Sequence, residues 1–139
     1  MRKVLLSIRG QQAYMGQEPD VIELVTEGIL TKSDGAWELQ YEETELTGLA
    51  GVTTIFRVED ERIVLTRTGK LHSQMVFQEG VTHDSLYQTE FGAMMLSVCA
   101  SKISHNLSDN GGVIDMSYRI ELEQSAAGVI DYHLEIKPK

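Results

Sequence analysis

The sequence contains a single cysteine, Cys99, and two prolines in 139 residues. One cysteine excludes an internal disulfide, so packing and hydrogen bonds must hold the fold together. Basic residues are also few, since 12 Lys and Arg stand against 21 Asp and Glu, which gives a net charge of −9. Binding to a phosphate backbone depends on clustered Lys and Arg, which this chain lacks. We therefore predict that nucleic acid is not a partner.

Long hydrophobic runs are missing as well. The first apolar run, from Val4 to Ile8, is interrupted by Ser7 and followed at once by Arg9. Such a run is too short for a signal peptide or a membrane span. We therefore predict a soluble cytoplasmic protein with no membrane partner. The histidines have no metal-ligand spacing, so we expect neither a metal nor another cofactor; they are His72, His83, His105 and His133.

What the chain does contain is a period-two alternation of apolar and polar residues. In the run Ile114–Leu122 the even-numbered residues are apolar and the odd-numbered ones are polar, and the run Ile130–Ile136 repeats this pattern. Successive side chains of a strand face opposite sides of a sheet, so each run indicates a half-buried β-strand. The hydrophobic content of 42% is typical of a folded globule. We predict one domain spanning residues 1–139.

Turn signals divide the chain into nine or ten short strands at a spacing of about ten residues, as in an all-β sandwich or barrel. Asp34-Gly35 is a strong signal for a tight hairpin turn. The run from Met94 to Leu107 fits a strand by its period-two apolar residues, but a short helix by its apolar residues four apart, and we favour the strand. Because closure removes exposed edges, we predict an antiparallel up-and-down β-barrel of eight to ten strands rather than a sandwich.

Several short strings occur together at a characteristic order and spacing. They are Tyr41-Glu42-Glu43, Gly51-Val52-Thr53-Thr54, Arg67-Thr68-Gly69, Met75-x-Phe77-x-x-Gly80 and Tyr87-x-x-x-Phe91-Gly92. Together they resemble the YwiB-like family of small bacterial proteins of unknown function, and the resemblance runs from about Trp37 to the C-terminus. It implies a calycin-type, lipocalin-like β-barrel. It implies no catalytic or binding residues.

Two charged residues fall on faces that the alternation directs into the barrel. The face of Trp37 extends by parity to Glu43, and the face of Ile63 extends to Arg67. A buried ion needs a partner, so we expect a structural Glu43–Arg67 pair, or Arg67 packed on Trp37. The resemblance to calycins favours this interpretation, because in that fold an arginine packed on a tryptophan closes one end of the barrel. A functional interpretation is that Arg67 presents its guanidinium fork to an anionic ligand. A third alternative is that Glu43 already belongs to the following loop.

The inward-facing residues also define candidate ligand contacts, because a small barrel is either filled by its side chains or holds one ligand. Tyr132 shares this predicted interior with the candidates, which are Tyr41, Glu43, Thr54, Arg67, Met75, Phe77, Tyr87, Phe91 and Tyr118.

We favour a non-enzymatic barrel that binds a small, partly apolar ligand, which is anionic in the interpretation that makes Arg67 its contact. The alternative is a solid barrel that acts through its surface, in which case a homodimer is one expected form. An enzyme would have to use Glu43 as an acid or base beside Tyr41 or Tyr87. No complete nucleophile–base set supports that third hypothesis.

Overall fold

The computed structural model describes residues 2–13, 20–44, 50–89, 92–122 and 125–139. These residues form ten β-strands, and among them no helix is long and apolar enough to cross a lipid bilayer. The strands are β1 (Arg2–Ala13), β2 (Asp20–Ser33), β3 (Ala36–Glu42), β4 (Val52–Val58), β5 (Ile63–Gly69), β6 (Ser73–Phe77), β7 (Thr82–Thr89), β8 (Gly92–His105), β9 (Gly112–Leu122) and β10 (Ser125–Pro138).

The strands make one antiparallel sheet in the order β6-β5-β4-β3-β2-β1-β10-β9-β8-β7. Neighbours in the sheet are neighbours in the sequence, except where the first and last strands pair with each other from Val4–Pro138 to Ala13–Val129. The sheet curls until its outer strands β6 and β7 meet, which gives a nearly closed barrel. The prediction of an antiparallel up-and-down β-barrel of eight to ten strands is therefore confirmed.

The run with two possible periods lies in β8, so the strand prediction is confirmed and the helix alternative is wrong. Leu96, Val98 and Ala100 are buried and face the core, as alternation requires. A β-bulge between Ala100 and Lys102 then shifts the register, so that Ile103 packs against the core although its number is odd. The four-residue spacing that resembled a helix therefore combines Met95 and Cys99 on the outer face with Ile103 and Leu107, which pack against the core.

The hairpin between β2 and β3 has the turn that its sequence predicts. Asp34 and Gly35 have φ values of 51° and 79°. Positive φ at both central residues is the requirement of a type I′ turn, whose twist matches that of the paired strands. The turn fixes Ser33 opposite Ala36 and so sets the register of β2 and β3.

The barrel interior is occupied by the inward faces of the strands. Its largest fully buried side chains include Phe56, Phe77, Leu6 and Leu39. Phe56 stacks on Tyr41 with ring centroids 6.5 Å apart. Most of the hydrophobic stabilisation comes from this core, because burying a large apolar side chain contributes about 1.5–3 kcal/mol.

The closure between β6 and β7 is the weakest join among the described strands. One backbone pair crosses it, in which His72 and Gln88 exchange hydrogen bonds of 2.8 Å, and Val81 N donates to Gln78 O within the connecting turn. Between these two points no backbone hydrogen bond joins residues 74–77 to residues 82–86. We call this stretch the β6–β7 seam.

Candidate functional site

A row of polar side chains crosses four neighbouring strands on the inside of the barrel. Tyr41 of β3 lies opposite Thr54 of β4, Thr54 lies opposite Arg67 of β5, and Arg67 lies opposite Ser73 of β6. Tyr41, Thr54 and Ser73 are buried, and Arg67 is partly buried. Cross-strand partners have Cβ atoms about 4.5–5.5 Å apart, so the row is continuous.

Glu43 lies just past the end of β3 and remains inside the barrel. Its backbone N–H donates to Val52 O at 2.9 Å, which continues the β3–β4 ladder by one residue. Its side chain is 2% exposed, and Arg67 Nη2 lies 3.9 Å from Glu43 Oε2. The predicted Glu43–Arg67 pair is therefore present, and its distance is at the outer limit of an ion pair. Because the Arg67 side chain is 22% exposed, the pair can be reached from solvent on the arginine side.

Tyrosine hydroxyl groups surround this pair. The phenols of Tyr41 and Tyr132 share a hydrogen bond, and Phe56 packs against both rings. Burial, and then the negative charge of Glu43, raises the pKa of Tyr41 to about 12. Residue Tyr132 keeps some exposed surface, but its phenol is enclosed, and burial raises the pKa of that phenol well above the ordinary value. Both phenols are therefore neutral hydrogen-bonding groups at physiological pH.

Several buried polar atoms in this region have no hydrogen-bond partner among the described residues. They are Glu43 Oε1, Thr54 Oγ1, Arg67 Nε and Ser73 Oγ, and Ser85 Oγ on β7 also lacks a partner. The Thr54 hydroxyl lies near the Tyr41 phenol but lacks the geometry of a full hydrogen bond. Leaving a buried donor or acceptor unpaired costs about 1–3 kcal/mol, so such atoms rarely concentrate in one place without a reason. We call Tyr41, Glu43, Thr54, Arg67 and Ser73 the polar cluster.

The other ligand-contact candidates are distributed around the same interior. Met75, Phe77 and Tyr118 are buried, and Tyr87 is partly buried against the core. Phe77 packs on Tyr118 with ring centroids 4.6 Å apart. Phe91 lies outside the described residues. The placement of the described candidates agrees with the alternation, and their role in binding stays a prediction.

The alternative in which Arg67 packs on Trp37 is wrong. Trp37 lies opposite Val58, which lies opposite Ile63, so these three residues form a row of their own. That row is four residues from the row of Arg67, or roughly 13 Å along the strands. The Trp37 ring instead has Lys32 Nζ 5.3 Å from its centroid.

Sequence reasoning missed Ser73 as a member of the polar cluster and Ser85 as an unpartnered hydroxyl on β7. A signal for each was present, because Ser73 extends the inward face of Met75 by one period and Ser85 extends that of Tyr87. Serine, however, is equally common on outward faces and in turns, so parity alone does not single it out. The absence of a partner for each hydroxyl became visible only in the structure.

A second group of ionisable residues lies on the outside of the barrel. His133 of β10 forms a hydrogen bond through Nδ1 with the Asp115 carboxylate, and its Nε2 lies 3.2 Å from Glu135 Oε1. The Asp115 carboxylate, and then that of Glu135, raises the pKa of His133. Among the described residues, no group of three or more His, Cys, Asp or Glu has the arrangement of a metal site.

Comparisons with known proteins agree with this architecture. The crystal structure of the YwiB protein from Bacillus subtilis superposes with a TM-score of 0.89 over 99% of this chain and 92% of that chain. The two sequences are 20% identical, so this similarity establishes the fold. No match was found among curated proteins. A family model described as a domain of unknown function, DUF1934, matches residues 6–136. The chain therefore belongs to the DUF1934 family and is YwiB-like, as its sequence strings predict.

Proposed function

We propose that this protein binds a small, partly apolar molecule inside the barrel, at the polar cluster, without catalysing a reaction. The observation that carries the proposal is the set of buried polar atoms without partners around the Glu43–Arg67 pair. A ligand with polar atoms at this position would supply the missing hydrogen bonds. The neighbouring apolar side chains Met75 and Phe77 would contact the rest of the molecule.

Two features of the described residues would give a ligand access to the polar cluster. Arg67 is partly exposed, which opens one side of the cluster to solvent. Ser73 and Ser85 flank the β6–β7 seam, where backbone hydrogen bonds between the two strands are missing. Local separation of these strands costs few interactions, so a molecule can enter here while the rest of the barrel stays folded.

The proposal is non-enzymatic because the groups at the cluster are poorly suited to proton transfer. A phenol with a pKa near 12 is a weak acid and is almost never ionised at neutral pH. Glu43 interacts with Arg67 and Tyr41, neither of which acts as a nucleophile in this state. The one cysteine is half-buried on β8. A thiol of this kind is compatible with the reducing cytoplasm, where we propose that the protein acts.

Native mass spectrometry of protein purified without denaturation tests the proposal. Wild type should carry a non-covalent mass addition, and Arg67→Met should lose it. Arg62→Met is the matched control, because Arg62 is exposed and pairs with Glu59 in the turn between β4 and β5, so this variant should retain the addition. Thr54→Val, which leaves the ion pair intact, should lower the occupancy. Wild type that carries no addition, before and after incubation with cell extract, would contradict the proposal.

A surface role is the second candidate, and one feature favours it. Leu5, Val25 and Ile29 expose 38%, 64% and 36% of their surface on the outer face of β1 and β2. Glu27 lies between Val25 and Ile29 and pairs with Lys139. This small apolar area would be covered by a second copy of the chain in a homodimer. Sedimentation equilibrium of wild type and Val25→Glu separates the candidates, because a monomeric wild type leaves the surface role without support.

A further inference from the structure

We infer that the polar head of the bound molecule carries no net charge and offers a hydrogen-bond donor and an acceptor on neighbouring atoms, as a carboxamide does. This inference rests on the proposed function, because it names the class of ligand for the same polar cluster. It replaces the anionic ligand that Arg67 alone would suggest.

The first argument concerns charge. Glu43 and Arg67 carry opposite charges, and their closest atoms are 3.9 Å apart, so the cluster as a whole is neutral. A carboxylate placed beside Arg67 would also lie near the buried Glu43 carboxylate, and attraction and repulsion would largely cancel. Its cost of leaving water would then remain uncompensated. An ammonium group meets the same problem with the signs reversed.

The second argument concerns the unpartnered atoms themselves. Glu43 Oε1 can only accept a hydrogen bond, and Arg67 Nε can only donate one. The hydroxyls of Thr54 and Ser73 can do either. A carboxylate has no proton to donate to Glu43, and an ammonium group has no lone pair to accept from Arg67. A carboxamide has both an N–H donor and a carbonyl acceptor, so it can satisfy both groups at once.

The third argument concerns the surroundings of the head. Met75 lies two residues from Ser73 on the same inward face of β6, and Phe77 follows two residues later. Phe77 packs on Tyr118 from the facing wall. A short hydrocarbon body attached to the polar head would therefore meet apolar side chains. The expected ligand is small, amphiphilic and uncharged.

Three probes with the same hydrocarbon chain isolate the head group: hexanamide, hexanoate and hexylammonium, titrated at pH 7 into the full chain. Chemical shifts of the methionine methyl groups report binding, because Met75 lies beside the cluster. Hexanamide should bind wild type at least about tenfold more tightly than either ion. This ranking needs no variant, so it stands even where a substitution impairs folding.

Variants that alter charge then test whether the Glu43 carboxylate sets the preference for an uncharged head. Glu43→Gln keeps the shape of the side chain and leaves Arg67 uncompensated, so the preference should move to hexanoate. Glu42→Gln is the matched control, because Glu42 is the adjacent residue, is exposed on the outer face and accepts a hydrogen bond from Thr53 at 2.9 Å. Its ranking of the three probes should equal that of wild type.

The possible results separate this inference from the function on which it rests. Tighter binding of hexanoate or hexylammonium to wild type, or a retained molecule with a charged head in native mass spectrometry, overturns the inference and leaves ligand binding standing. A Glu43→Gln ranking identical to that of wild type overturns it too. Failure of all three probes to bind, combined with the absence of any retained molecule, overturns both. A retained molecule with an uncharged head supports both.

Discussion

Glu43 and Arg67 depend on each other unequally. The Glu43 side chain is almost completely buried, whereas Arg67 keeps contact with water. Removing the arginine leaves the Glu43 carboxylate buried without a partner. Removing the carboxylate leaves the Arg67 cation, which water can still reach in part. The cost of breaking the pair therefore depends on which partner is lost, and the arginine is the more important one for stability.

Arg67→Met should destabilise the ligand-free protein by about 3–5 kcal/mol, because it leaves the buried Glu43 carboxylate without a compensating charge. Urea unfolding followed by circular dichroism measures the loss. The control Arg62→Met, in the turn between β4 and β5, should lose at most about 1 kcal/mol, as expected for a surface pair. Adding Glu43→Gln to Arg67→Met should recover much of the stability. Equal losses in Arg67→Met and Arg62→Met would refute the structural importance of the pair.

Thr54 tests whether the polar cluster is maintained for folding or for binding. Its side chain is fully buried and its hydroxyl makes no full hydrogen bond. Thr54→Val should therefore leave the ligand-free protein as stable as wild type or raise its stability by up to about 1 kcal/mol. The same variant should bind hexanamide more weakly. A clear loss of stability in thermal unfolding, with unchanged binding, would assign the hydroxyl a purely structural role.

His133 should give the protein a small dependence of stability on pH. Its folded-state pKa lies above the ordinary value of 6.5, so the native state binds the proton more tightly than the unfolded state does. The stabilisation is fully present below pH 6.5 and is lost as the pH rises through the folded-state pKa. His133 is 41% exposed, which limits the effect to less than about 1 kcal/mol. Unfolding curves of wild type and His133→Gln should converge at high pH, and a constant difference would disprove this origin.

At the scale of strands, the alternation of residue types contains most of what can be predicted from the sequence. It gives the strands, the inward faces and the shared side of Glu43 and Arg67, and Asp34-Gly35 gives one register. The alternative with Trp37 and Arg67 in contact was favoured by the resemblance to calycins, and it was wrong because the strand registers place the two residues in rows four residues apart. The alternation also does not predict the bulge at Ala100 or the hydroxyls that lack partners, since both depend on how separate strands fit together in space.

The β6–β7 seam follows from the geometry of the two strands. The backbone N–H and C=O groups of His72 and Gln88 form hydrogen bonds with each other. Backbone groups of every second residue of a strand point to the same side, so those of Gln74 and Val76 also point toward β7. In a fully closed barrel Gln74 would pair with Leu86, but this pairing is not made in the described structure. The wall therefore has a segment of low local stability beside Ser73 and Ser85.

Hydrogen exchange should identify this segment. The amides of Gln74 and Val76 should exchange at least about tenfold faster than those of Val64 and Thr66 on β5, which is paired on both sides. Two-dimensional NMR in deuterated buffer measures each amide. Binding of hexanamide should slow exchange at the seam if ligands enter there. Protection at Gln74 and Val76 equal to that on β5 would mean that the seam is closed in solution.

At the scale of the whole molecule, the barrel is joined at the pairing of its first and last strands. β1 and β10 pair over ten residues in the middle of the sheet, and Lys139 N donates to Lys3 O at 3.2 Å. Every other pairing along the sheet order joins strands that follow each other in sequence, so β1 with β10 is the long-range step of folding. Loop-closure entropy makes such a step slow, because a long segment must be closed before it gains contacts.

Circular permutation should relocate this step. A short linker from Lys139 to Lys3 makes β1 and β10 a local hairpin, and new ends at the exposed Gly80 turn cut the chain where few backbone bonds join the flanking strands. This permutant should fold to the same barrel, lose little stability and fold faster than the parent.

A second permutant, with new ends at Asp34-Gly35, turns the five paired residues of β2 and β3 into a long-range pairing. It should therefore fold more slowly than the permutant opened at Gly80. Stopped-flow refolding from urea compares the three proteins. Slower folding of the Gly80 permutant than of the parent would show that closure at the seam, and not the pairing of β1 with β10, limits the assembly of the barrel.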